Sequence, residues 1–490
     1  MKKLNEINEK IGNYRWTICA LVFLATTINY LDRNVLGLLK TDLLPMLKVS
    51  AESTGEREYS LVVMAFQASY ALGLLGVGRV IDKIGTRHGY GLSLLGWSLA
   101  AIGHALAKGP FGFGFWRAAL GVTEAGNFPA ANKTIAEWFP KKERAFATGL
   151  YNSGANIGAI LAPLTVPFIA LHWGWQWAFI LTGAIGLLWL VLWYRVYGPP
   201  KAKLAGGALK QAEYDYIHGD KDEQQENTAG ALQEKVSWFK LLEYRQTWAF
   251  FFGKFFTDPI WWFFLFWLPA FLEGENLRKI AEAHPQGLPA GVTNATILGE
   301  LKDFANLFTN SEVLASINVP GLVIWPVAVA VVYTISTVGS VLGGYLPKLF
   351  IDKGMEVNMA RKLSMLIYAL VPLTVLGAMK LGAINTWYAV LVIGLACAAH
   401  QAWSANIFTT VSDMFPKKAV ASVTGIGGMA GAFGGMLIAW AAGLLLDHFK
   451  LLGRINTAYG ILFVVCALAY IVAWVLMHIL VPRFKKITDL

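Results

Sequence analysis

Cysteine and charge are both scarce in this 490-residue chain, and neither shortage is neutral. Only Cys19, Cys397 and Cys466 occur, each inside an apolar run and none near another, which excludes a disulfide framework and a thiolate metal site. Just 15% of the residues are charged, against about 25% in soluble domains. The loops that announce familiar chemistry are missing too. Gly253-Lys254-Phe255 is the nearest approach to a phosphate-binding loop, but it lacks the hydroxyl that follows the lysine, which argues against an ATP-driven pump. Gly425-x-Gly427-x-x-Ala430 matches a dinucleotide fingerprint by letter, yet it opens a glycine-rich apolar run with no strand before it, so close helix packing explains it better. The eight histidines show no HExxH spacing and no serine sits in a Gly-x-Ser-x-Gly elbow, so an integral-membrane enzyme is a remote alternative; no cofactor or metal is expected.

What remains is oil. The chain is 56% hydrophobic, with 19 Trp, 29 Phe and 49 Gly. A bilayer core about 30 Å thick needs roughly 20 apolar residues per helix. Such runs recur at 16–38, 60–81, 89–108, 111–137, 145–170, 175–198, 246–272, 320–351, 361–380, 384–412, 419–447 and 455–481. The expected fold is all-α and integral to the membrane, with twelve transmembrane helices as two pseudo-symmetric six-helix bundles. The net charge of +10 does not point to nucleic acid, because Lys and Arg gather in alternate loops: Lys2, Lys3, Lys10 and Arg15; Lys83 and Arg87; Lys141, Lys142 and Arg144; 201–245; Arg361 and Lys362; Lys417 and Lys418; 483–486. That asymmetry sets orientation and places both termini in the cytoplasm of a cell whose inner (plasma) membrane the chain spans repeatedly. Residues 1–14 carry no small-residue cleavage site, so the first apolar run is a retained helix.

The spacing divides the chain into a bundle at 1–198, a cytoplasmic linker at 199–245 that opens on Gly198-Pro199-Pro200 and passes through KDEQQEN, and a bundle at 246–490 with an external insert at 273–319. The insert mixes polar and apolar residues as short surface helices do; a lid and a plain loop extension both fit it. EWFPKKERAFATG at 137–149 returns as DMFPKKAVASVTG at 413–425, each copy closing an even-numbered helix and opening the next. Two parallel repeats follow, with a cavity between them. GRVIDKIGTR between helices 2 and 3 supplies Gly78, Asp82, Lys83, Gly85 and Arg87, a tight turn whose charges can form a gating network; GGYLPKLFIDKG at 343–354 is a weaker echo. A loop that only fixes orientation is the plainer account.

On these features the chain resembles the major facilitator superfamily along nearly its whole length. NYLDR at 29–33, RAALGVTEAGNFPAANKTIAEWFP at 117–140, GKFFTDPIWWFFLFWLP at 253–269 and AHQAWSANIFTTVSDMFP at 399–416 are similar to the anion:cation symporter family, and most of all to its hexuronate-transporter branch. The resemblance implies proton coupling at Asp32 and Glu124 and anion binding at Arg33.

The residues point the same way. Asp32, Arg33, Arg117, Glu124, Lys254 and Asp258 lie inside apolar spans. Six unpaired charges at about 2.5–3.5 kcal/mol each would cost roughly 15–20 kcal/mol, so they must be paired, protonated or wet. Fixed ion pairs gluing helices together are the bland possibility. Helix depth puts Asp32 level with Arg117, with Glu124 deeper and Gly121 leaving room on the same face. Asp32 and Glu124 are expected to carry protons, with Arg117 as the partner each can release and Asp258 as a further coupling candidate. Arg33, with Asn29 one turn below it, is the expected anchor for a substrate carboxylate, since a guanidinium pairs with both oxygens at once. Pro259 is expected to break helix 7 near mid-membrane. Lys254 is either a local partner of Asp258 or a substrate ligand, and Trp262 can stack on a sugar ring. His400, Gln401, Ser404 and Asn406, with Asn152, Ser153 and Asn156 and the tyrosines Tyr30 and Tyr70, would meet hydroxyls. The expected ligand is a small organic anion with one carboxylate end and one hydroxyl-rich end, a hexuronate or related sugar acid, moved with protons by alternating access through a monomer. An anion exchanger or another carboxylate transporter of the same fold is the alternative, and sodium coupling stays open.

Overall fold

The computed structural model describes residues 11–219, 237–289, 291–307, 311–317, 319, 322 and 324–487. Lys2, Lys3, Lys10 and KDEQQEN lie outside the described residues, as do the side chains of Lys141, Lys142, Lys417 and Lys418. Regular structure among the described residues is helical throughout. Twelve long helices carry the fold. The first six are α1 (Tyr14–Leu38), α2 (Glu56–Ile84), α3 (Thr86–Gly103), α4 in two pieces (Pro110–Glu124 and Asn127–Trp138), α5 (Lys141–Trp173) and α6 (Trp175–Val196). The second six are α7 (Arg245–Ala283), α8 (Trp325–Asp352), α9 (Val357–Leu370, continued by a tight turn and Ala378–Ile384), α10 (Thr386–Met414), α11 (Lys417–Leu451) and α12 (Ile455–Leu480).

Nine of these, among the described residues, are long and apolar enough to cross a membrane on composition alone. The exceptions are α1, α3 and α4, and each has a physical reason. Helix α1 carries Arg15, Asp32 and Arg33, and 17 of its 25 residues are buried in protein, where polar groups find partners that lipid cannot offer. Helix α3 opens on the polar Thr86, Arg87 and His88, which leave its 18 residues insufficiently apolar, and α4 is interrupted after Glu124.

The internal repeat is visible in backbone geometry. Pro140 caps the start of α5 at φ −64, ψ 153, and Pro416 caps α11 at φ −64, ψ 151, each just after an even-numbered helix has ended. Proline suits this place because it donates no hydrogen bond and biases the residue before it away from helix. Packing repeats as well: α1 lies on α5, α2 on α4 and α3 on α6, and the same pairs shifted by six, α7 on α11, α8 on α10 and α9 on α12, build the second bundle. The bundles meet through α2 against α11 and α5 against α8.

Two expectations about α7 do not hold. It runs unbroken through Pro259 and Pro269, and it continues to Ala283, well beyond the apolar run ending at 272. The extension uses Leu, Glu, Arg, Lys and Ala, residues that hold helix in water. The insert then adds short helices at Asn294–Lys302, Phe304–Leu307 and Glu312–Ile317.

The face bearing both chain ends, here the terminal face, differs from the far face. On the far face the bundles are tied together: Glu56 of α2 binds Lys40 (2.7 Å) beyond α1 and Lys450 of α11 (3.1 Å), Thr54 donates to Asp447, Thr41 donates to Glu273 (2.6 Å), and Asp42 pairs with Lys302 of the insert (2.6 Å). Toward the terminal face the same four helices carry Gly76, Gly149, Gly344 and Gly428, and a methyl on any of them would meet nothing within 4 Å. The ties between the bundles thus gather at the far end.

Candidate functional site

A cavity of about 200 Å³ lies where the bundles diverge. Helix α1 gives it Tyr30 and Arg33, α5 gives Asn152, Ala155 and Asn156, and α7 gives Lys254, Asp258, Trp261 and Trp262. Ser340 of α8 and His400, Gln401 and Ser404 of α10 complete the wall. Larger hollows exist, one of about 560 Å³ beside Arg87 and Glu137 and one of about 850 Å³ under the insert, but neither gathers the intramembrane charges.

Close helix approach sets the geometry. A Cβ on Gly158 would strike the Thr27 carbonyl oxygen, so α5 can press on α1 and bring Asn152 and Asn156 beside Tyr30. A Cβ on Gly121 would strike Ser69 Oγ, which lets α4 press on α2 and deliver Glu124 to Arg33. Arg33 Nε and Nη2 both donate to Glu124 Oε2, at 2.9 and 2.7 Å, and Nη2 reaches Asn29 Oδ1 at 3.4 Å. Glu124 Oε1 has no hydrogen-bond partner among the described residues. The guanidinium stands 4.9 Å from the ring centres of Tyr30 and Tyr70, 5.3 Å from Phe66 and 5.7 Å from Trp262, an aromatic box that favours a cation by its π-faces.

The sequence had linked Glu124 to Arg117. In the structure Arg33 takes that carboxylate, because Arg117 lies two turns away along α4 and turns toward α1, where its Nη2 donates to the Arg33 carbonyl oxygen at 3.2 Å. Arg117 Nε and Nη1 and both Asp32 oxygens are buried without hydrogen-bond partners among the described residues, so depth brought the two residues level without joining them in this conformation. Such groups cost about 1–3 kcal/mol apiece when left dry.

In the second bundle Lys254 and Asp258 pair at 2.7 Å, one turn apart. His400 Nδ1 lies 2.7 Å from the Tyr470 hydroxyl while its ring stacks on Trp261 at 5.2 Å. Asn406 does not line the cavity; its amide donates to the carbonyls of Gly343 (2.6 Å) and Ala402 (2.8 Å) and so ties α8 to α10. Asn29 and Tyr70 touch Arg33 and not the cavity itself. Ala155 and Ser340 of the cavity wall and Phe66 beside Arg33 carry no sequence signal, because a lone small, polar or aromatic residue on an apolar helix does not reveal which face it occupies.

The loop motif sits on the terminal face. Gly85 takes φ +85, a conformation natural to glycine, and lets α2 turn directly into α3. Asp82 pairs with Lys133 of its own bundle (2.9 Å), Arg87 donates to the Tyr194 carbonyl (2.7 Å), and Lys83 is exposed; Gly78 lies against Pro129.

Comparison with known proteins agrees with this architecture. The family model of the Major Facilitator Superfamily matches residues 22–351. The hexuronate transporter of Escherichia coli K12 is 29% identical over 474 residues, which are 96% of this chain and 95% of that one. A galacturonate transporter of Dickeya chrysanthemi is 34% identical over 275 residues, 56% of this chain and 76% of its own. Among solved structures, a bacterial homologue of the human lysosomal transporter Spinster, inward-facing and occupied, superposes with a TM-score of 0.68 at 15% identity, covering 98% of this chain and all of that one. The chain is therefore a multi-pass membrane transporter and not an enzyme, and it belongs to the major facilitator superfamily, in the branch that holds the hexuronate transporters.

Proposed function

We propose that the protein is a proton-coupled symporter of a hexuronate, such as glucuronate or galacturonate, or of a closely related sugar acid, working as a monomer in the inner membrane with both termini in the cytoplasm. The observation that carries this reading is the Arg33–Glu124 pair at the wall of a polar cavity. An arginine that already holds a carboxylate cannot bind a second one well. Protonating Glu124 removes its charge and frees the guanidinium for the carboxylate of an incoming anion, so proton and substrate must arrive together. Asp32, buried beside Arg117 and without a hydrogen-bond partner among the described residues, supports a second protonation site. Gln401, Ser404, Asn152 and Asn156 offer the hydroxyl end of the substrate its hydrogen bonds, and Trp262 a ring face.

In this reading residues 1–198 and 246–490 rock as two units joined by 199–245. The far-face ties hold the inward-facing state, and the Gly78–Arg87 loop, with Asp82 and Lys83, closes against the second unit when the terminal face shuts. Proteoliposomes loaded with the protein test it. Labelled glucuronate or galacturonate should accumulate when an inward proton gradient is imposed and only equilibrate without one. Uptake that ignores the gradient but requires an anion inside would make the protein an exchanger.

A further inference from the structure

Helices α2 and α11 are zipped together through the far half of the molecule. At the outer end a Cβ on Gly443 would collide with Ser60, and deeper in, the empty Cβ position of Gly435 lies 3.0 Å from Gln67 Nε2. Gln67 is 1% exposed, and neither its amide nitrogen nor its oxygen has a hydrogen-bond partner among the described residues. A primary amide can make four hydrogen bonds, and each buried group left without one costs about 1–3 kcal/mol. A methionine of similar length would fill this zipper without that penalty, so the closed interface does not explain why an amide stands there.

Its surroundings do. The same Gly435 position is 2.9 Å from Trp262 Cδ1 and 3.3 Å from its Nε1, so the amide of the first bundle and the indole of the second converge on one spot across the dividing line. Trp262 lines the cavity, stacks parallel on Phe266 at 5.9 Å and abuts Phe66 at 6.1 Å. Gln67 is absent from the cavity wall, although it meets the same Gly435 position as this wall residue. Gln67 also shares a helix face with Tyr70, one turn on, whose ring flanks Arg33. Opening the far face must draw α11 and α7 away from α2. That motion removes both Gly435 and Trp262 from Gln67 and turns the amide into the chamber beside Arg33.

We propose that Gln67 is a substrate-binding residue of the state open to the far face, where its amide donates to and accepts from neighbouring hydroxyls of the sugar acid whose carboxylate Arg33 holds. The inference rests on the sugar-acid reading above and adds a recognition group that this conformation hides. The unpaired amide also makes the inward-facing state less comfortable than an apolar residue would, so the same side chain favours the return to the loading state.

The test is uptake of glucuronate and galacturonate and of their single-deoxy analogues by wild type, Gln67→Met and Gln67→Asn in proteoliposomes, with thermal stability in detergent measured on each. Gln67→Met should be as heat-resistant as wild type or more so. Its preference for a parent acid over one of the deoxy analogues should fall about tenfold through a higher KM, with Gln67→Asn in between. Unchanged preference across the whole analogue panel in a stable Gln67→Met protein overturns the proposal. So does a protein that melts early and loses all anions equally, since the amide would then serve packing. Wild type that carries no sugar acid sinks the substrate reading, and this inference with it.

Discussion

The two bundles use their polar residues in opposite ways. In the first, the charges reach across helices: Arg33 and Glu124 are 91 residues apart in sequence and meet at 2.7 Å, while Asp32 and Arg117 lie buried with hydrogen-bonding capacity to spare. In the second, the charged pair lining the cavity, Lys254 with Asp258, sits within a single helical turn, and its neighbours His400, Gln401 and Ser404 complete a polar wall. A pair within one helix survives any movement of that helix. A pair between helices depends on their separation and can be broken by a proton or by motion. On the reading proposed above, coupling falls to the cross-helix charges of the first bundle, while groups that fit the substrate come from both bundles, although the folds of the two are repeats of each other.

The sharpest way to break this division is Arg33→Ala. It removes the proposed substrate anchor and leaves Glu124 buried without its partner, at a cost of about 3–5 kcal/mol. Uptake should fall at least a hundredfold with protein still present in the membrane, read as initial rate per transporter. Glu124→Gln should separate two activities: accumulation against a gradient vanishes while counterflow of labelled for unlabelled anion persists at a rate within a few-fold of wild type. If accumulation survives in Glu124→Gln and is lost instead in Asp258→Asn, the division between bundles is reversed. Asp258→Asn itself should cost about tenfold in KM, the size of one charge-assisted hydrogen bond, and leave the pH profile of transport in place. Gln401→Ala should be mildest, about three- to tenfold in KM from one neutral hydrogen bond of roughly 1 kcal/mol, with the effect differing between glucuronate and galacturonate because they differ at one hydroxyl.

Much of this was readable in the letters, and the gaps have physical causes. Twelve apolar runs gave twelve helices, because a bilayer tolerates no other way of pairing the backbone. FPKK at 139–142 and 415–418 marked the repeat, and both prolines cap helices with nearly the same dihedrals. The six intramembrane charges were visible because charge in oil is rare. Which of them would touch was not, since depth along a helix follows from counting residues whereas rotation about its axis depends on packing, here on Gly121 and Gly158. Gln67 gave no signal at all among MAFQASYALG. The far-face ties escaped for a different reason: Glu56 and Lys450 are separated by 394 residues, and nothing local to either predicts the other. The extra turns of α7 were hidden by polarity, as LEGENLRKIAEA reads like a loop by hydropathy and like a helix by propensity.

The unbroken run of α7 past the membrane turns it into a lever. From Lys254, at the cavity, to Ala283, at its outer tip, the helix spans about 43 Å at 1.5 Å per residue. A tilt too slight to change any distance around the ligand by more than an ångström would swing that tip through several. A pair of spectroscopic labels on the tip and on the loop after α1 would therefore report each stroke of the transporter magnified.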